Sequence, residues 1–161
     1  MNIRFVDTSI MTNILNIPFR NEQRDEIIRT FESLDPSTDF LILPVSTIIE
    51  TGNHIAHIVD GRVRRDIAIR FSNILTNIIR EVIPWKLYGN KLEISDIEWI
   101  ASELPNYATI ETGVGDMCII RQYCTYKEST PGIGKIMIWS VDKHLSSYCD
   151  DMTGFKRRRS M

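Results

Sequence analysis

The chain has 161 residues, 43% of them hydrophobic and 25% charged, with a formal net charge of −2. That length suits a single domain with one buried core and no need of disulfide staples, and the composition is that of an ordinary soluble globular protein. Near-neutrality excludes a strong whole-molecule pull toward nucleic acid or anionic membrane.

Ile3 to Val6 is a short run, apolar but for Arg4, bounded by Asp7-Thr8-Ser9, the pattern of a buried strand that ends where a helix starts. A short helix is predicted over Ser9–Leu15, stopped near Pro18, and a second over Asn21–Leu34 with Ile27, Ile28, Phe31 and Leu34 at helical spacing. After the Asp35-Pro36-Ser37-Thr38 turn, Phe40–Val45 reads as the second buried strand and Thr47–Val59 as a helix. A break at Asp60-Gly61 precedes a longer helix, Arg62–Arg80, striped by Ile67, Phe71, Ile74, Leu75 and Ile78. Val82–Leu87 is strand-like, but Pro84 lacks an N–H and demotes it to an edge or an extended connection.

Ser95-Asp96-Ile97-Glu98 has a capping-box pattern and opens a helix expected to end near Leu104-Pro105. Asp116–Tyr126 is a further helix, Glu128–Gly134 a loop, and Ile136–Val141 the last clear strand before the basic end Lys156–Arg159. Strands separated by helices imply an α/β fold, a central parallel sheet of four to five strands covered by helices on both faces. One domain over 1–161 is expected, with a basic tail from about 156. Cys118, Cys124 and Cys149 are odd in number and lack CxxC spacing, so they read as reduced thiols of a cytoplasmic protein. No secretory signal pattern opens the chain, and its apolar runs are strand-sized, so no membrane association is expected.

Four acids stand at element boundaries: Asp7, Glu50, Asp116 and Asp142. Each alone has a structural explanation. Asp7 and Asp142 follow strands and suit helix N-caps; Glu50 lies three residues after Thr47 and suits a capping box; Asp116 suits the positive end of a helix. In an open parallel sheet, however, strand C-termini and the helix starts that follow them share one edge, where ligands bind. Capping does not require that all four be acidic and meet at one rim. Carboxylates gathered in one pocket repel unless a hard cation sits among them, which points to Mg²⁺ or Mn²⁺ and phosphate chemistry.

The order of these motifs resembles the PIN-domain proteins, a nuclease fold that includes VapC-type toxins of bacterial toxin–antitoxin pairs. The resemblance runs from Ile3 to Leu145: a strand entering Asp7-Thr8-Ser9, Pro44-Val45-Ser46 leading to Glu50, Gly115-Asp116 at a helix start, and Trp139-Ser140-Val141-Asp142-Lys143-His144-Leu145. It implies a PIN-like α/β/α architecture and a Mg²⁺- or Mn²⁺-dependent endoribonuclease whose metal-site carboxylates are Asp7, Glu50, Asp116 and Asp142. Thr8 and Ser140 match the small hydroxyl positions beside the acids. RNA substrate, a protein antitoxin and a homodimer are the implied partners. Two other readings stay open: a PIN-like RNA- or protein-binding module with little turnover, and a metal-dependent phosphohydrolase of a small substrate.

Other signals are weaker. Glu50, His54 and His57 share a helical face, which suits either a transition-metal site or a polar surface with His54 supporting Glu50. His144 follows Asp142 closely and reads as a proton donor, a phosphate contact or a surface histidine. Thirteen of the nineteen basic residues are arginine, whose planar fork suits phosphate. Arg157, Arg158 and Arg159 are candidates to hold RNA backbone, although a solvated tail explains them as well. Gly113-Val114-Gly115 and Gly132-Ile133-Gly134-Lys135 lack the further residues of nucleotide-binding loops and read as turns.

Overall fold

The computed structural model describes residues 1–89 and 91–154. Four strands form one sheet: β1 (Asn2–Val6), β2 (Asp39–Ile42), β3 (Lys135–Trp139) and β4 (Cys149–Asp151). Their order is β2-β1-β3-β4, with β1 parallel to both β2 and β3, and β4 antiparallel to β3. The fully parallel sheet expected from the sequence therefore gains one antiparallel edge. That strand is short and reads Cys-Asp-Asp, with no apolar alternation to announce it; charge on such an edge discourages pairing with other chains.

Helices α1 (Thr8–Ile14), α2 (Arg24–Glu32), α3 (Val45–Ala56) and α4 (Gly61–Ile79) precede α5 (Ile94–Thr109), α6 (Val114–Ser129) and the short α7 (Lys143–Ser146). Strand side chains alternate between two cores. Ile3, Phe5, Ile42, Ile136 and Ile138 pack with Ile119, Ile120, Tyr123 and Tyr126 of α6 and Leu145 of α7. Val6, Leu41 and Leu43 pack on the other face with Ile10 and Met11 of α1, Ile27 of α2, Ile55 of α3 and Ile67, Phe71 and Ile78 of α4. The three parallel strands are thus covered on both sides, which explains why they are largely apolar, with Arg4 of β1 paired to Asp39.

Several boundaries differ from the sequence reading for identifiable reasons. Strand β2 stops at Ile42 because Pro44, without an N–H, serves as the N-cap of α3. Val82–Leu87 is indeed an extended connection: the Leu41 N–H donates to Pro84 O at 2.8 Å, the Lys86 N–H to Leu41 O at 2.9 Å, and only Trp85 forms a bridge. The capping box of α5 pairs Glu93 with Asp96, not Ser95 with Glu98. Nor does α5 end at Pro105; it continues to Thr109. The helix lies at the surface, and the Ala101 carbonyl that Pro105 leaves without a donor is on an exposed residue, where water can serve it. Among the described residues no helix is long and apolar enough to cross a membrane.

Candidate active site

Because β1, β2 and β3 are parallel, their carboxyl ends share one edge, and the chain runs from β1 to β2 on one side of β1 and then crosses over to β3 on the other. The crevice at such a reversal is where an open α/β sheet places ligands. Asp7, one residue past β1, stands at that point and is 8% exposed. A cleft of about 360 Å³ opens there, walled by Asp7, Thr8 and Ser9 from the start of α1, Glu50 and His54 from α3, and Asp116 from α6. Three acids distant in sequence therefore face one space. A second cleft, of about 270 Å³, lies between α3, α5 and α6 and holds none of the four acids.

Each acid is positioned by its own local structure. Asp7 is the N-cap of α1, and three donors meet on its Oδ2: the Ser9 N–H at 3.3 Å, the Ser9 hydroxyl at 2.7 Å and the Ser140 hydroxyl at 2.8 Å. Asp142 is the N-cap of α7, its Oδ1 accepting from the Leu145 N–H at 2.9 Å. The two loops are sewn together, since the Val141 N–H donates to Ser9 Oγ at 3.1 Å and the Asp142 N–H to Ser140 Oγ at 3.0 Å. Asp142 does not line the cleft itself, but its charge reaches Asp116.

Glu50 departs from the capping-box explanation. The Thr47 hydroxyl instead donates to the Val6 carbonyl at 2.8 Å and ties α3 to β1. Glu50 Oε2 accepts from the Thr8 hydroxyl at 2.7 Å, while Oε1 lies against Gly115. A Cβ placed at Gly115 would collide with Oε1 and stand 2.9 Å from Cδ, so the glycine at the start of α6 is what lets the Glu50 carboxylate approach that helix. Next along the chain, Asp116 is half-buried. Burial first, and then the charges of Asp7, Glu50 and Asp142, push its carboxyl up to about 6, with a hydrogen bond from the Gly113 backbone partly opposing the rise.

These hydrogen bonds decide whether the set suits a hard cation. Among the described residues, Asp7, Glu50 and Asp142 each spend one oxygen on the fold and keep the other uncommitted: Oδ1 of Asp7, Oε1 of Glu50 and Oδ2 of Asp142. All are carboxylate oxygens, the donors that Mg²⁺ and Mn²⁺ favour. Among the described residues no three His, Cys, Asp or Glu side chains are already drawn close enough to hold an ion. The acids stand apart, coupled through their charges, as mutually repelling carboxylates do.

Of the other candidates, Thr8 and Ser140 hold Glu50 and Asp7 as described. His54 lines the cleft; burial and then the Arg20 charge lower its tendency to protonate, against the pull of Glu50. The third member of the helical face, His57, caps α3, with Nδ1 2.7 Å from the Asn53 carbonyl oxygen, and does not line the cleft with Glu50 and His54. His144 is an exposed residue stacked edge-on against Tyr148 and takes no part in the cleft wall. Arg157, Arg158 and Arg159 lie outside the described residues.

Sequence reading missed Ser9, which binds Asp7 and the Val141 N–H, and the cleft wall formed by Thr12, Asn13, Phe19, Arg20, Glu22 and Gln23. Ser9 carried a local signal, a hydroxyl two residues after an acid at a helix start. Phe19 and Arg20 carried none, because only tertiary packing brings their turn over the acids.

No protein-family model matches the sequence, and no curated protein matches it. Among solved structures the chain is similar to the crystal structure of FitAcB from Neisseria gonorrhoeae, with 14% sequence identity over 90% of each chain and a TM-score of 0.49. At that distance the function has to be argued from the site.

Proposed function

We propose that the protein is a PIN-type, Mg²⁺- or Mn²⁺-dependent endoribonuclease, with Asp7, Glu50, Asp116 and Asp142 as the residues that would hold the metal. The observation that carries this reading is the convergence of Asp7, Glu50 and Asp116 on one cleft at the carboxyl edge of the sheet, with Asp142 coupled to them. A bound divalent ion would acidify a water and neutralise charge developing on a phosphodiester. The chain's own part is orientation. Ser9 and Ser140 fix Asp7, Thr8 fixes Glu50, and the stitch between Ser9 and Val141 holds the β1 and β3 loops together.

A binding module without turnover would gain nothing from uncommitted carboxylate oxygens beside a phosphate ligand; they would repel it. A toxin role with a protein antitoxin is the biological setting we favour, with self-association as its companion. Helix α5 buries none of its residues and exposes Ile94, Ile97 and Leu104, an apolar face that suits a contact between copies. The deciding assay is cleavage of a single-stranded RNA panel with Mg²⁺, Mn²⁺ or chelator, comparing wild type with Asp7→Asn and Asp116→Asn. Cleavage that survives chelation, or activity unchanged from wild type in both variants, would sink the metal-nuclease reading.

A further inference from the structure

The mouth of the cleft carries an aromatic side chain in an unusual setting. Residues 17–20 form a turn in which the Arg20 N–H donates to the Ile17 carbonyl at 3.1 Å, with Pro18 second and Phe19 third. Phe19 has φ +65°, in the left-handed region that the third position of a type II turn requires and that normally selects Gly or Asn. A bulky residue there is an outlier, and such strain gathers where a side chain is needed for another purpose. Phe19 is 94% exposed and has no aromatic neighbour among the described residues.

The turn is held firmly from behind. Ile17 is buried in the core, Asn16 accepts from Asn21 at 2.7 Å, and the Gln23 N–H donates to Asn13 Oδ1 at 3.0 Å. Phe19 is thus presented on a fixed support. Arg20, beside it, makes no ion pair among the described residues although it borders a cleft of acids, and its charge is felt by His54 across the opening.

We propose that this turn is a nucleotide-binding rim: a base of single-stranded RNA stacks on Phe19, and Arg20 holds the adjoining phosphate, delivering the next phosphodiester to the carboxylates. The inference rests on the nuclease reading of the cleft and adds how the substrate is placed. Base–aromatic stacking needs an unpaired base with a free face, which a duplex interior lacks. A protein partner is a poorer fit. Interface anchors cluster with other apolar residues, whereas Phe19 stands alone among exposed Asn16, Pro18, Arg20 and Glu22.

The test uses the Asp116→Asn protein in Mg²⁺, so that binding is read without turnover, and a short single-stranded RNA carrying 2-aminopurine at each position in turn. Stacking predicts quenching at one position. Phe19→Ala should abolish that quenching and weaken binding roughly five- to hundredfold, and Phe19→Leu, apolar but not aromatic, should recover little. Arg20→Ala should lower the salt dependence of log K by about one phosphate contact, a slope change of ~0.7. Phe19→Gly should raise Tm while losing the RNA, which a merely structural Phe19 would not do.

Unchanged affinity and quenching in Phe19→Ala, or equally tight binding of a blunt RNA duplex, would overturn the rim. Loss of a protein contact in Phe19→Ala with RNA affinity intact would do the same. Parallel cleavage assays separate the two claims. Phe19-dependent quenching with no metal-dependent cleavage by wild type leaves the rim and removes the nuclease, and wild-type KM and kcat in Phe19→Ala do the reverse.

Discussion

Replacing Asp116 with Asn tests the electrostatics of the cleft without any substrate. In the folded protein the Asp116 carboxyl is pushed up to about 6 from the ordinary 3.8, by burial and then by Asp7, Glu50 and Asp142. At ~1.36 kcal/mol per pKa unit that gap amounts to about 3 kcal/mol, and solvent screening of a half-buried group reduces it to about 1–2 kcal/mol. Below about pH 4 both folded and unfolded states hold the proton and nothing is lost. Between about 4 and 6 the unfolded state releases its proton first, so stability falls as pH rises. Above about 6 the loss is complete and constant. Asn has the same shape and no charge, so Asp116→Asn should stabilise the metal-free protein by about 1–2 kcal/mol at pH 7.5, or ~2–8 °C in Tm for a chain of this size. The gain should vanish by about pH 4. Urea unfolding in EDTA at pH 4, 5.5 and 7.5 measures it, and millimolar Mg²⁺ should then raise the Tm of wild type more than that of the variant. A variant less stable than wild type at pH 7.5 in EDTA, or a gain undiminished at pH 4, would refute the coupled-carboxylate description.

Gly115→Ala should cost little stability, because the helix gains about 1 kcal/mol from Ala while the displaced Glu50 loses its Thr8 hydrogen bond; Mn²⁺ affinity by calorimetry should fall at least about tenfold, and wild-type affinity would show that Glu50 is not needed. Ser140→Ala removes one of the donors that fix Asp7 Oδ2 and should reduce metal affinity about 10- to 100-fold, checked by the same titration. Thr51 is 0% exposed and its hydroxyl has no partner among the described residues, so Thr51→Val should stabilise by about 1 kcal/mol in urea unfolding; a loss of stability would mean that the hydroxyl is satisfied in solution.

Much of the fold was legible because burial writes itself into pattern. Val6 and Phe5, or Ile136 and Ile138, are apolar on successive or alternate positions because helices cover both faces of the sheet. Strand β4 left no such trace, being an edge strand that reads Cys-Asp-Asp, and α5 continues through Pro105 against a local breaker signal, at a surface position where water can serve the freed carbonyl. In the site, acids directly after strands could be read from the chain, since topology alone fixes where a strand ends. Gly115 could be suspected from the two glycines before Asp116, although its actual neighbour, Glu50, could not. The Phe19 turn was invisible, because a Pro-Phe pair signals a turn but says nothing of what the turn overhangs.

Capping and metal binding, which the sequence presents as rival explanations of the acids, are compatible within single side chains. Asp7 and Asp142 hold helix starts with one oxygen and, among the described residues, leave the other without a partner, so removing either carboxylate outright loosens a loop as well as any ion it would bind. Loss of activity in Asp7→Ala would therefore be ambiguous, since a lost N-cap alone costs about 1 kcal/mol and releases the Ser9–Ser140 stitch. Asn resolves the ambiguity. Its amide oxygen caps a helix about as well as Asp does, while its neutral oxygen is a far weaker ligand for a hard cation. If the carboxylates serve a metal, Asp7→Asn and Asp142→Asn should unfold in EDTA at midpoints no lower than wild type, because each relieves repulsion on Asp116, and still lose divalent-ion binding; if they serve only as caps, ion binding should match wild type.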